Sequence, residues 1–178
     1  MKERNKPKEY LFVDGYNIIN SWEILKNKAQ DSLEEARIHL LEILSEYQHY
    51  TGIIIIVVFD AHLVKGNMGT EEIYKGVRAV YTRENETADN FIERTLDDIG
   101  RIKRVRVATS DWMEQQIVLS RGGTRISARE LEVEIETSRN MVKRKRKIAN
   151  KQNNMQIGRL DEDTIFKLKG WGKSGDKS

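Results

Sequence analysis

The chain has no cysteine and a single proline, Pro7, in its 178 residues. Without cysteine there is no disulfide framework and no thiolate metal site, a composition that suits a reducing cytosol. With its one proline near the amino end, little in the interior interrupts regular structure. Histidine is scarce as well. His39, His49 and His62 share no metal-ligand spacing, so they read as structural, surface or solvated loop residues. Long hydrophobic runs are missing too. The longest, Ile53 to Phe59, is far too short to span a bilayer. Met1 to Glu9 is charged and lacks an apolar stretch, so no secretory signal is expected and the expected location is cytoplasmic. There is no glycine-rich phosphate loop followed by lysine, which disfavours a nucleoside triphosphatase, and no Gly-x-Ser-x-Gly elbow. Neither repeats nor low-complexity tracts are visible.

What remains is a chain that is 33% charged and 38% hydrophobic, with a formal net charge of +3. Its length suits one domain with a core large enough to fold alone. Residues 10–13 read as a short buried strand. From Asp31 to Tyr50, Leu33, Ala36, Leu40, Leu41, Leu44 and Tyr47 recur at helical spacing behind a Ser32/Glu35 capping box, and Gly52 ends the pattern. Ile53 to Phe59 is β-branched and continuously apolar, as in a parallel strand covered on both faces. Residues 61–76 read as a loop with a helical turn, and 78–82 as a strand. The spacing predicts a helix from Thr87 to Ile99, a strand over 104–109 and a helix from Trp112 to Arg121. A short strand over Thr124 to Ile126 follows. Ser127 and Glu130 then form a second capping box that opens a long helix through Ala149. The tail from Asn150 onward is polar and expected to be looser. Alternating strands and helices point to an α/β fold, a three-layer α/β/α sandwich with a mainly parallel sheet.

Several strands end on aspartate. Asp14 ends Tyr10-Leu11-Phe12-Val13, Asp60 ends the Ile53–Phe59 run, and Asp111 follows Val105 to Ser110. Asp89 opens a helix after Glu86-Thr87-Ala88. A parallel sheet brings the carboxyl ends of its strands to one edge, where ligands of such sheets bind. Carboxylates crowded there are costly unless a cation sits among them. Each residue also has an ordinary reading. Asp14-Gly15 with Asn17 suits a turn, Asp60 a polar strand end, Asp89 an acid favoured by a helix dipole, and Ser110-Asp111 a helix cap. Their joint placement at one predicted edge favours a divalent-metal site, with oxygen ligands suited to Mg²⁺ or Mn²⁺. Asn17 is placed to hydrogen-bond a carboxylate, a metal-bound water or a phosphate. Glu86 either joins the site or faces solvent.

The second feature is basic. Arg139, Lys143, Arg144, Lys145, Arg146, Lys147 and Lys151 fall on the last long helix and wrap most of its circumference. A solvated helix end accounts for some of this charge but not for its density. Lys103, Arg104 and Arg106 add a second group. An acidic metal pocket with basic surroundings fits a nucleic-acid backbone passing over a cation.

Leu-Phe-Val-Asp-Gly-Tyr-Asn at 11–17, Val-Val-Phe-Asp-Ala at 57–61, Glu-Asn-Glu-Thr-Ala-Asp at 84–89 and Ala-Thr-Ser-Asp at 108–111 resemble the NYN domain family, and within it the YacP-like branch of the PIN-like nucleases. The resemblance covers the chain from Tyr10 into the basic helix. It implies a PIN-like fold, a nuclease domain over residues 1–150 and a polar tail over 151–178. It also implies a metal-dependent endoribonuclease whose acidic set falls on Asp14, Asp60, Asp89 and Asp111, with Asn17 in support. Asp14, Asp89 and Asp111 would hold the metal. The branch includes a ribosome-associated endonuclease that cuts mRNA in the A site, so mRNA and the ribosome are the implied partners. Arg139, Lys143, Arg144, Lys145, Arg146 and Lys147 would hold the RNA. The alternative is a non-catalytic RNA- or ribosome-binding module with a degenerate site. A receiver-like signalling domain fits less well, because Gly15 stands where that fold wants a second acid after its first strand.

Overall fold

The computed structural model describes residues 9–63, 69–99, 104–111, 116, 118–120 and 122–157. In chain order its strands are β1 (Glu9–Asp14), β2 (Ile54–Phe59), β3 (Glu71–Tyr74), β4 (Val77–Tyr81), β5 (Arg104–Ala108) and β6 (Thr124–Ile126). Its helices are α1 (Gly15–Ser21), α2 (Glu23–Asp31), α3 (Leu33–Thr51), α4 (Ala88–Ile99) and α5 (Ala128–Ile157), with a 3-10 turn at Ala61–Leu63. The six strands form one sheet in the order β3-β4-β2-β1-β5-β6. Neighbouring strands run parallel except β3, which pairs antiparallel with β4.

Side-chain alternation along the strands builds two cores. Leu11, Val13, Ile55, Val57, Phe59, Ala79 and Tyr81 face one side, where they meet Ile18, Leu25, Leu40, Leu44, Leu131 and Ile135 from the helices. Phe12, Ile56, Val58, Val80, Val105 and Val107 face the other and meet Ile92 and Leu96 of α4. The sheet is therefore sandwiched between helices, as its apolar strands require.

Local sequence explains the element ends. Ser32 caps α3 by accepting from the Glu35 N–H at 3.2 Å, and Gly52 closes it. At α5 the capping box is reciprocal: Ser127 Oγ accepts from the Glu130 N–H at 3.2 Å, and Glu130 Oε2 accepts from the Ser127 N–H at 2.7 Å. The stretch after Asp14, which carries the Asp-Gly and Asn that also suit a turn, forms two helices, α1 and α2. Two expectations need correction. Residues 71–74, expected as loop, form an edge strand. Its hairpin turns on Lys75 and Gly76, whose φ angles of 46° and 93° are both positive, as a two-residue turn of the primed type needs. Finally, α5 runs on to Ile157 rather than stopping at Ala149, so the start of the expected loose tail is helical. Most of the predicted Trp112–Arg121 helix lies outside the described residues; residues 118–120 are helical.

The chain divides by its contacts into two units, Met1–Ser138 and Arg139–Ser178. The first holds the sheet, the four shorter helices and the opening of α5. The second holds the rest of α5, in which residues 143–153 are exposed.

Candidate active site

The chain reverses its direction of travel across the sheet between β1 and β5. From β1 it winds outward through β2 to β4, then crosses back to β5 and β6. The carboxyl ends of β1, β2 and β5 flank that switch point, where open α/β sheets bind their ligands. Asp14 is the last residue of β1. Its carboxylate accepts from the Asn17 N–H at 3.2 Å and so caps α1. Gly15 is required there by packing. A Cβ at this position would lie 2.3 Å from Cε1 of Phe59, so any side chain would force the Phe59 ring or the backbone beside Asp14 to shift. Phe59 is held in turn between Tyr16, edge-on at 5.3 Å, and Tyr81, stacked at 5.6 Å.

Asp60 follows β2. Its Oδ1 accepts from the Ala88 N–H at 2.8 Å, which ties the start of α4, and with it Asp89, to the end of β2. Thr87 caps the same helix by accepting from the Asn90 N–H at 3.2 Å. Asp111 lies beyond β5. Its N–H donates to Thr109 Oγ1 at 3.0 Å, and the neighbouring Ser110 N–H donates to Asn17 Oδ1 at 2.6 Å. Asn17 thus spends its carbonyl on bridging the ends of β1 and β5 across the switch point. That bond holds the loop leading to Asp111 and leaves the Asn17 side-chain NH2 for the supporting role expected of it.

The electrostatics record the crowding. Burial pushes the Asp14 carboxyl up to about 7 from 3.8. The Asn17 N–H opposes the rise, and the charges of Asp89, Asp60 and Asp111 add to it. Asp89, Asp60 and Asp111 are therefore all within electrostatic reach of Asp14. Even so, among the described residues no three acidic or histidine side chains are arranged to hold a metal ion. The donor set is all oxygen, which fits a hard divalent cation that keeps part of its shell as water or substrate phosphate. It does not form a closed protein cage.

Sequence reasoning missed the residues that position these acids. Thr82 and Thr109 are the buried polar residues of the described core. Thr82 Oγ1 accepts from the Ala61 N–H at 3.0 Å, and Thr109 does the same for Asp111. Each sits directly after a strand, which is the signal that marks them. Arg37 was also missed. It donates to the Tyr16 hydroxyl at 3.1 Å. Burial raises the pKa of that phenol, Arg37 lowers it, and Asp60 raises it.

Other expected members stand elsewhere. Glu86 is partly buried and tied into its own turn. It accepts from the Arg83 N–H and pairs with Arg94. Arg106 is not part of a basic binding surface. Its guanidinium forms a bidentate pair with Glu134 at 2.9 and 3.1 Å. Its Nε lies 2.6 Å from Glu9 Oε1, an ion pair without hydrogen-bond alignment. Tyr47 donates to the same Glu134. Lys103 and the His62 side chain lie outside the described residues. In the second unit, Lys143, Arg144, Lys145, Arg146 and Lys147 are all exposed, and Arg139 is partly buried.

A model of the YacP-like NYN domain matches residues 11–173. The uncharacterized protein YacP of Bacillus subtilis (strain 168) is 42% identical over 170 residues, covering 94% of this chain and 98% of that protein. The crystal structure of Rae1 (YacP) from Bacillus subtilis matches with a TM-score of 0.69 and 41% identity over 93% of this chain and 95% of that one. A point-mutant structure of the same relative matches with a TM-score of 0.67 over 80% of this chain and 84% of that one. The chain belongs to the YacP-like NYN domain family, and its nuclease-type fold is PIN-like.

Proposed function

We propose that this member of the YacP-like NYN family is a metal-dependent endoribonuclease that hydrolyses RNA phosphodiester bonds, and that its substrate is mRNA in the ribosomal A site. The observation that carries the reading is Asp14. Its carboxyl is half-buried at the switch point, pushed up to about 7 by that burial, with the charges of Asp89, Asp60 and Asp111 adding to the rise. Asp14 and Asp60 each bind a backbone N–H, but two such bonds do not call for four acids at one edge, and a cation relieves their crowding. Asp14, Asp89 and Asp111 would hold Mg²⁺ or Mn²⁺. When bound, such an ion polarises the phosphate and lowers the pKa of an attacking water. Asp60 keeps α4, and hence Asp89, against the end of β2. Asn17 and Thr109 keep the Asp111 loop against the end of β1. Arg139 and Lys143 to Lys147 would neutralise RNA or ribosomal RNA phosphates. The ribosomal substrate rests on the family resemblance and carries a cytoplasmic location with it.

One observation favours a second reading. The acids of the described chain are not arranged as a ready metal cage, as expected of a non-catalytic RNA- or ribosome-binding module. The deciding experiment presents a defined mRNA to the purified protein, free and on translating ribosomes, and maps the RNA ends. New ends that require Mg²⁺ or Mn²⁺ and vanish in Asp14→Asn support the nuclease. Binding without new ends under every condition supports the module.

A further inference from the structure

Beside the acidic edge, between the β3–β4 hairpin and α4, lies a polar cavity of about 200 Å³. Thr82 and Arg83 wall one side, and Glu86, Phe91 and Arg94 the other. The cavity adjoins the acids through bonded neighbours. Thr82 N–H donates to the Phe59 carbonyl at 3.0 Å and its Oγ1 accepts from the Ala61 N–H, so the residues flanking Asp60 both hang from it. Glu86 precedes Ala88, whose N–H binds Asp60, and Asp89 follows. Glu71, Val80 and Phe91 also line a neighbouring apolar groove of about 240 Å³ over Tyr10, Phe12 and Ile56.

The polar end is built around Glu86. Its Oε1 takes Arg94 Nη2 at 2.6 Å, and its Oε2 takes the Arg83 N–H at 3.3 Å. The turn that presents both residues closes through the Glu86 N–H on the Arg83 carbonyl at 3.1 Å and places Asn85 at a φ of 64°. The Glu86 side chain is 17% exposed and the Arg94 side chain 57%. Glu86 thus fixes one edge of an accessible guanidinium and leaves the rest of its donor fork for a ligand. That guanidinium also lies 5.5 Å from the centroid of the Phe91 ring. Among the described residues, no hydrogen bond or ion pair engages the Arg83 side chain. Along the whole cleft, Arg78, Arg83 and Arg94 stand against Glu71 and Glu86, so it is net positive.

Donor forks next to an aromatic ring and an apolar slot match a phosphate joined to a flat base. We propose that this cleft binds one nucleotide of single-stranded RNA beside the scissile bond, with its phosphate on Arg83 and Arg94 and its base against Phe91. The proposal rests on the nuclease reading and names where its substrate lies. Stacking on one aromatic ring is sequence-tolerant, so the cleft fixes the path of the strand more than its sequence.

The test uses the full chain carrying Asp14→Asn, so that RNA stays intact. Affinity for a labelled single-stranded RNA oligonucleotide is measured across a salt series, with Arg83→Glu or Phe91→Leu added. Arg83→Glu weakens binding and flattens the log–log salt slope by at least about 0.7. Phe91→Leu weakens binding by on the order of fivefold and leaves the slope in place. A 4-thiouridine oligonucleotide crosslinks to the α4 peptide that contains Phe91. Arg83 is exposed, so its variant tests the idea even if Phe91→Leu lowers the melting temperature. RNA binding unchanged by Arg83→Glu, with crosslinks elsewhere, overturns the cleft and leaves the nuclease reading standing. No oligonucleotide binding by the starting protein overturns the cleft, whereas the nuclease reading falls only if no new RNA ends appear on translating ribosomes. Competition by a nucleoside monophosphate as effective as the oligonucleotide makes the cleft a free-nucleotide site and overturns the RNA assignment.

Discussion

Asp14 ends an interior strand, caps a helix and has its carboxyl pushed up to about 7 by burial and by three neighbouring acids. Lys143 to Lys147 project from an exposed helix, and no ion pair engages them among the described residues. Both regions concentrate charge of one sign, yet the chain treats them oppositely. Asp14 and Asp60 are held by backbone N–H groups, and Asp14 sits there at a cost in electrostatic energy. The cations stay solvated, where like-charge repulsion is screened at physiological salt. Positioned charge suits bond-breaking, which depends on geometry. Solvated charge suits holding a polyanion, which depends on counterion release.

The largest expected effect breaks the acidic side. Asp14→Asn keeps size and helix-capping ability but removes a metal-attracting charge worth several kcal/mol in the transition state. Single-turnover RNA cleavage is expected to fall at least about a hundredfold, while the melting temperature holds or rises. Cleavage at the wild-type rate would detach chemistry from this edge. Gly15→Ala attacks the same place through packing. Its Cβ meets the Phe59 ring, so stability drops by roughly 1–3 kcal/mol in denaturant unfolding and cleavage falls with it. Asp60→Ala sharpens the contrast within the acidic set. Losing the bond to the Ala88 N–H costs about 1 kcal/mol, whereas Asp14→Asn costs no stability. Equal melting temperatures for the two variants would contradict the separate roles given to them.

pH separates the regions as well. In the metal-free chain the Asp14 carboxyl stands at about 7 when folded against 3.8 ordinarily. Between these values the folded chain keeps a proton that the unfolded chain has released. Stability from this group is therefore present at low pH and lost as pH rises from about 4 to about 7. Denaturant melts over that range are expected to show the decline in the wild type and its absence in Asp14→Asn. Added Mg²⁺ or Mn²⁺ would oppose it by binding the folded state. A pH profile identical in both proteins would remove the electrostatic argument for the site.

Much of this was legible in the sequence because periodicity and caps report local physics. Ser32, Gly52, Ser127 and Glu130 marked real helix ends, and the apolar runs marked the parallel strands. The acids at the ends of β1, β2 and β5 followed from topology alone. What stayed hidden depends on contacts distant in sequence. Arg106 looked like part of a basic group until the sheet placed it on Glu134 and Glu9. Asn17 was expected to support the acids, but its link to Ser110 shows only once the ends of β1 and β5 lie side by side. Edge strand β3 carries only Ile73 and Tyr74 as apolar residues, too weak an alternation to read. Helices α1 and α2 were obscured by Asp-Gly and Asn, which signal a turn as readily as a cap. Thr82 and Thr109 are unremarkable until the backbone they hold is seen to carry Asp60 and Asp111.

A smaller effect is expected from the cations. Lys143, Arg144, Lys145 and Arg146 changed together to Gln keep good helix formers and remove phosphate neutralisation. RNA or ribosome affinity should fall, with the log–log salt slope flattened by roughly three units on single-stranded RNA. Unchanged affinity and slope would reduce the basic run to a solvated helix end.

The most direct test of the division between fixed and solvated charge is single-turnover cleavage at saturating RNA, measured alongside equilibrium binding for Asp14→Asn and the four-Gln variant in the presence of Mg²⁺ or Mn²⁺. Asp14→Asn is expected to bind RNA normally and fail to cut it, and the four-Gln protein to bind weakly and cut at close to the wild-type rate once saturated. A four-Gln protein that cannot cut at saturation, or an Asp14→Asn protein that cuts normally, would contradict the account.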